Sequence, residues 1–465
     1  MAILACGCTK ANPSASCADG VCSDPNFPFC DKDGLIEGEP NTCISVTCKP
    51  GDLGACDGSD ALVCNAAGSS YDLNECLTGC AESVVGGCNG CTPNSAQCNG
   101  SALERCGSDG TQLPSETCGG DCIADGTPHC EQLEPVYLGN VCDTPATGAA
   151  RTFNDPEMFD VDNDANCSAT IPQAGGPTIC VVRAPTIDIT TTAVLSVISS
   201  ANQAGGSNGR AIAFVADDSL TVDGTLDASA NLFANGPGGG FTISGAAHIG
   251  GVGGGGAGFH TAGGNGNGTT NGGVAEQDPA RSPVIVGGPA AASGGGGGGA
   301  VLLVACRGTV SVTGTVSLGG GGGLGGGASH LVPYGGQGGG AGGYLVVQGL
   351  RVGVTGNVFA NGGAGASGGS LTAIKFGSAG QTGQASTTAA LGGASVDTSG
   401  VGGNGGVGTT APGNGLGGAS NTGDGGGGGS VGFLQTYTPT GVDATVTPKA
   451  SSPAFQANAP TLTTK

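Results

Sequence analysis

Cysteine is the residue through which this chain could do most chemistry. Twelve of the 22 cysteines fall into two sets: Cys48, Cys56, Cys64, Cys76, Cys80 and Cys88, then Cys91, Cys98, Cys106, Cys118, Cys122 and Cys130. The steps are 8, 8, 12, 4 and 8 residues in the first set and 7, 8, 12, 4 and 8 in the second, which marks an internal repeat. Thiols at this density either oxidise to disulfides or hold zinc. Cys88-Asn-Gly-Cys91 has the spacer of a zinc knuckle, but no second pair follows at ribbon spacing, so disulfides are the expectation. Six cysteines allow fifteen pairings, and the spacing does not choose among them.

Carboxylates are the second source of chemistry. Asp160, Asp162 and Asp164 stand at the 1, 3 and 5 positions of a calcium loop, with Asp155 and Glu157 close by. Ala165 replaces the glycine and Ile171 the glutamate of an EF-hand, so the choice is between a looser calcium site and a solvated acidic linker. Asp217, Asp218, Asp223 and Asp227 form the one acidic concentration downstream, with Asp217 and Asp218 read as a turn and the other two as outward strand residues. Glycoside cleavage uses two carboxylates, and this group is the only place to look for them. The GxSxG matches around Ser367 and Ser430 lack the strand-turn-helix setting of a nucleophile elbow, and His129, His248, His260 and His330 have no ligand spacing.

Two regions must position these residues. Positions 1–168 carry 25 of the 35 acidic side chains and 5 of the 13 basic ones, so −20 of the net −22 lies there. That charge repels phosphate backbones and anionic bilayers, which excludes nucleic acid as a partner and leaves a lipid anchor as the only membrane contact. Disulfide-rich sequence belongs outside the cytosol. Ile3-Leu4-Ala5-Cys6 resembles a bacterial lipobox, which implies lipidation of Cys6; the alternative is that Cys6 joins the disulfide set. Residues 1–16 are then an anchor and tether, 17–47 a partial Cys-rich repeat, 48–88 and 91–130 the full repeats, and 131–168 an acidic linker. The repeats over 17–130 resemble short Cys-rich units of secreted and lipid-anchored proteins of myxobacteria and their relatives, and the resemblance implies an extracellular or outer-membrane-anchored location.

Residues 169–450 hold most of the 100 glycines, and 451–465 read as a tail. Val181, Phe214, Val304 and Val346 align as anchors, each followed six and eight residues later by aliphatic pairs: Ile187 and Ile189, Leu220 and Val222, Val310 and Val312, Val352 and Val354. Gly224, Gly314 and Gly356 come next, then Leu226, Val316 and Val358, and a degraded copy covers Phe433–Val446. Short alternating strands between glycines, with no helical period, predict a mostly β fold in which hairpin repeats precede a glycine-rich parallel β-helix or β-solenoid. Its polyglycine excursions are either flexible loops or packed polyproline II helices, as in certain phage tail adhesins and glycine-rich antifreeze proteins that the pattern resembles. The expected function is non-catalytic: structural or adhesive contact with cells, matrix, a polysaccharide or a surface protein. No cofactor is expected beyond the calcium that Asp160, Asp162 and Asp164 could hold. The alternative is a β-helix lyase or glycoside hydrolase acting on polysaccharide.

Overall fold

A computed structural model describes residues 16–17, 20–32, 40–45, 48–49, 51–66, 68–81, 87–202, 209–267, 270–276, 284–328, 332–372, 374–456 and 462–465. The chain divides into two compact units, Met1–Cys130 and Glu131–Lys465. Cys6 and His330 lie outside the described residues.

In the first unit each full repeat is a small three-stranded antiparallel sheet: Leu53–Asp57, Asp60–Cys64 and Tyr71–Asn74, then Ala96–Asn99, Ala102–Arg105 and Glu116–Thr117. The second copy buries little beyond Leu103, Cys118 and Cys130. Covalent bonds replace the missing core. Both repeats use one connectivity, first to third, second to fifth and fourth to sixth: Cys48–Cys64, Cys56–Cys80 and Cys76–Cys88, and Cys91–Cys106, Cys98–Cys122 and Cys118–Cys130. Cys17–Cys30 and Cys22–Cys43 close the partial copy.

The second unit is built on two parallel sheets sharing one core, in a solenoid-like stack of rungs. A rung contributes a long strand to one sheet and a short one to the other. The second to fifth rungs are Ile179–Ile189 with Val194–Ile198, Ala211–Val222 with Thr225–Asp227, Ala300–Val312 with Thr315–Ser317, and Tyr344–Val354 with Asn357–Phe359. Arg151–Phe153 with Glu157–Asp160 forms the first rung. Phe433–Tyr437, Thr445–Val446 and Ala450–Ser452 form the last. The aliphatic pairs make the ladders that the sequence predicts: Ile187, Leu220, Val310 and Val352 are in register, as are Ile189, Val222, Val312 and Val354, all facing the shared core. At each corner a Cβ on Gly314 or Gly356 would collide with the carbonyl oxygen of Gly224 or Gly314 in the rung before it, which is why the copies keep glycine there.

Three expectations change. What reads as two strands, such as AVLLVA and TVSVT, is one long strand carrying a bulge. The anchors are not partners: Val181 pairs with Ala213, Phe214 with Leu303, and Val304 with Gln348. The cause is bulge length, since one residue separates Ala184 from Thr186, two separate Ala216 from Ser219, and three separate Ala305 from Thr309. Upstream of the bulge the strands read as unbroken apolar runs because both faces are buried. Their outer face packs on Leu133, Leu138, Cys142, Ala257, Phe259 and Ile285. The 131–168 stretch therefore supplies part of this second core and the first rung, and Cys142–Cys306 ties it to the fourth rung.

The glycine excursions are ordered by backbone hydrogen bonds between neighbouring tracts. Gln337, Gly340 and Gly343 donate to Leu324, Gly321 and Leu318 at 3.1, 2.9 and 2.8 Å, and Gly423, Gly426 and Gly429 donate to Gly369, Ala366 and Gly363 at 2.8–2.9 Å. The donors recur every third residue, the period of the polyproline II helix. Successive residues of one tract thus address three directions: Asp424, Gly427 and Ser430 donate to Gly251, Gly254 and Ala257, while Gly425 and Gly428 donate to Leu416 and Gly413. The carbonyls of the same tract accept from Gly400, Gly403 and Gly406, from Gly336, Gly339 and Gly342, and from Gly264. Six neighbours surround it, and a side chain would fill the space through which the backbones meet.

Candidate functional site

Several chain reversals of the bundle gather at one end. The tract after Thr315–Ser317 leaves the sheets, is bridged back on itself by Ala328 and Pro333 and returns to Tyr344; the tract after Asn357–Phe359 is bridged back on itself by Ser370 and Lys375; the tract leading into Phe433 starts from the turn at 419–422. All three reversals are therefore distal to the sheets, and two further turns join them. Gly335 donates to Gly250 at 2.9 Å, which brings in 249–252, and Thr422 Oγ1 donates to Thr398 O at 3.1 Å, which brings in 396–399. Leu371 donates to Asn421 O at 3.0 Å, and Lys375 Nζ pairs with Asp397 Oδ1 at 3.0 Å. The lysine lowers the Asp397 pKa, aided by a hydrogen bond from Ser370.

This end exposes apolar side chains: Ile249 and Phe376 are 73% and 71% accessible, and Val332, Tyr334 and Ile374 are also exposed. The Tyr334 and Phe376 rings come within 3.4 and 3.8 Å of where a Cβ of Gly327 would stand, so both rings lie beside Gly327. Ile374, Asp397 and Asn421 have φ of 50, 55 and 66°. The left-handed region is unfavourable for a β-branched residue, and such strain gathers where a protein makes contact. Nothing in the sequence reading marked these residues. Single apolar residues in glycine-rich turns have no period, and the only available signal was an aromatic residue within a turn.

The four downstream aspartates are dispersed. Asp217 lies in the bulge of the third rung, not in a turn, 3% accessible, where it pairs with Arg183 and accepts from Ala146 N at 2.7 Å. Burial lowers the Arg183 pKa and Asp217 opposes that shift. Asp218 faces Arg307 at 3.8 Å, Asp223 accepts from Thr313 Oγ1, and Asp227 Oδ1 accepts from Ser229 N at 3.0 Å. Asp188, not marked in the sequence, stands near Asp223; its pKa is raised by burial first and by that neighbour second.

The calcium-spaced triplet accepts hydrogen bonds and an ion pair from the protein's own donors. Asp160 Oδ1 accepts from the backbone of Asp162 and Ser200, both at 3.1 Å. Asp162 accepts from Ser199 Oγ at 2.6 Å, Ala201 N at 2.9 Å and Arg210 N at 3.1 Å, while Asp164 pairs with Arg210 at 2.6 Å. The three carboxylates clasp the end of the first rung to the segment that joins the second rung to the third. Among the described residues the one gathering of three potential ligands is Cys17, Cys22 and Cys43, all in disulfides.

Ser367 and Ser430 are fully buried within the glycine bundle, the first bonded to Ser378 and the second to Val431 O at 3.0 Å. His129 meets Thr127 O at 2.8 Å, His248 meets Ser293 Oγ at 2.9 Å, and His260 lies on the Phe433 ring at 4.6 Å. No helix among the described residues is long and apolar enough to cross a membrane. Compared with known protein families, with curated proteins and with solved structures, the chain matches none.

Proposed function

We propose that this is a non-catalytic adhesive protein of the cell surface or extracellular matrix, which holds the cross-bonded turns of its glycine bundle against a polysaccharide or protein surface. The observation that carries the reading is the distal cluster of Ile249, Val332, Tyr334, Ile374 and Phe376. Exposed apolar side chains on strained turns, projecting from a scaffold fixed by hydrogen bonds in three directions, form a contact surface that is held in shape before it binds. The disulfide repeats fit an oxidising compartment, and Cys6 is the proposed point of lipid attachment.

The test is retention of the purified chain on a panel of polysaccharides and matrix proteins, together with assay for new reducing or unsaturated ends. Retention without new ends is expected, and Tyr334→Ser combined with Phe376→Ser should abolish it without changing the thermal midpoint. Release of new ends would favour the lyase or hydrolase alternative, and undiminished retention by the double variant would remove the distal turns from the account.

A further inference from the structure

On the outer face of the short-stranded sheet, Ser196, Asp227 and Ser317 stand in register on three successive rungs, with Met158 next to Ser196 on the first. These residues line two adjoining cavities of about 450 and 310 Å³, which share Ser196, Ile198, Ser229 and Asn231. Three rung steps at about 4.8 Å each make the floor about 14 Å long. Thr382–Ala385 overhang the Ser317 end. That loop is held by Asn361, itself fully buried, whose Nδ2 donates to Gln384 O at 2.6 Å and Ser386 O at 2.7 Å. The groove is thus built and rigid, and it lies on a face separate from the distal turns.

From this geometry we infer that the groove binds a short segment of a neutral, hydroxyl-rich polysaccharide. Three of the four floor strands are paired on both sides and only Glu157–Asp160 ends the sheet, so a peptide could pair at that edge but not along the groove floor. What the groove offers is side-chain chemistry. Ser196 Oγ and Asp227 Oδ2 have no partner among the described residues, and Asn231 and Gln384 add amides along the walls. Hydroxyls, amides and a carboxylate recognise sugar hydroxyls, while Met158, Ile198 and Ala230 supply apolar surface for the C–H face of a ring. No cationic side chain lines either cavity and Asp227 is the one charge, so an acidic polymer is repelled. A single carboxylate cannot divide the acid and base roles of glycoside cleavage, which makes the groove a binding site.

The experiment titrates the full chain with neutral hexasaccharides (cello-, xylo-, malto- and chito-oligomers), with hexagalacturonate and with a Ser/Thr-rich peptide, read by calorimetry. Binding of at least one neutral oligomer is expected. Asp227→Asn should weaken it about tenfold, the worth of a charge-assisted hydrogen bond. Ser196→Trp, an outward strand position, should fill the groove and abolish it, with circular dichroism confirming the fold. The Tyr334→Ser, Phe376→Ser variant should bind as the parent does, which separates this site from the distal one. Absence of neutral-oligomer binding, preference for the peptide or for hexagalacturonate, or binding unaffected by both groove variants would each overturn the inference.

Discussion

Gly429→Ala tests whether the glycine tracts are a folded bundle. A Cβ at this position would stand 2.8 Å from Gly339 O and nearer still to Gly340 O, whereas real Cβ contacts remain beyond 3.0 Å. The obstacle is backbone, so relief requires two tracts to separate. Separation of 339–342 from 427–430 breaks the Gly339 N to Gly427 O and Gly342 N to Ser430 O bonds, both at 2.9 Å. Two buried hydrogen bonds left unmade, at about 1–3 kcal/mol each, cost about 2–6 kcal/mol. At about 2.1 cal/mol/K of unfolding entropy per residue, each kcal/mol lowers the midpoint of a unit the size of Glu131–Lys465 by about 1.5 °C. The expected loss is about 3–9 °C by calorimetry, with faster amide exchange at Gly339 and Gly342. The control is Gly353→Ala, where nothing lies within 4 Å and the midpoint should hold or rise slightly. Equal midpoints for the two variants, with unprotected amides in both tracts, would mean that the glycine segments are loops.

Val312→Asp puts a charge into the inward ladder, where Val312 is fully buried, and should cost several kcal/mol in thermal unfolding. The matched control is Thr309→Asp, exposed and paired across rungs with Arg351; Thr313 does not serve, because an aspartate there would face Asp223. Asp188→Asn should show a pH-dependent gain. Because the folded pKa of Asp188 is raised, its favourable contribution is complete below the ordinary carboxylate pKa and is lost as the pH rises through the shifted value. The variant should therefore melt higher than the parent at pH 7 and at the same temperature at pH 3.

The ladder pairs were legible because they depend on spacing within one short stretch of strand. Their upstream anchors were not, because bulges of one, two and three residues shift the register by amounts that no single rung reveals. The Cys-rich repeats were legible as units and illegible as pairings, since spacing constrains which thiols are near in sequence and not which meet in space. The role of 131–168 depends on Cys142 reaching Cys306, 164 residues away, and on Leu133 and Leu138 covering strands that already looked complete. The acidic triplet shows the converse: its spacing is plain in the sequence, but the donors Ser199, Ala201 and Arg210 that Asp162 accepts from are 37–48 residues away, and only the fold brings them there.

Glycine is the costliest residue to order, by roughly 0.5–1 kcal/mol relative to alanine, so a bundle of this kind needs a compensating gain at nearly every position. Here the gain is backbone pairing that does not depend on side chains, with each tract bonded along three directions in a three-residue repeat. The phase of that repeat constrains the tracts severely: one inserted residue turns every later donor by a third of a turn, away from its acceptor. The distal turns are free of that phase, because their side chains leave the bundle and their cross-bonds, such as Leu371 N to Asn421 O, do not follow the three-residue repeat. A scaffold that is intolerant along its length and permissive at its tips separates holding from contact, and it can change what Tyr334, Ile374 and Phe376 present without changing how they are held. That division of labour supports the adhesive role proposed above, since an adhesive contact must alter with the surface it meets while the support keeps its register.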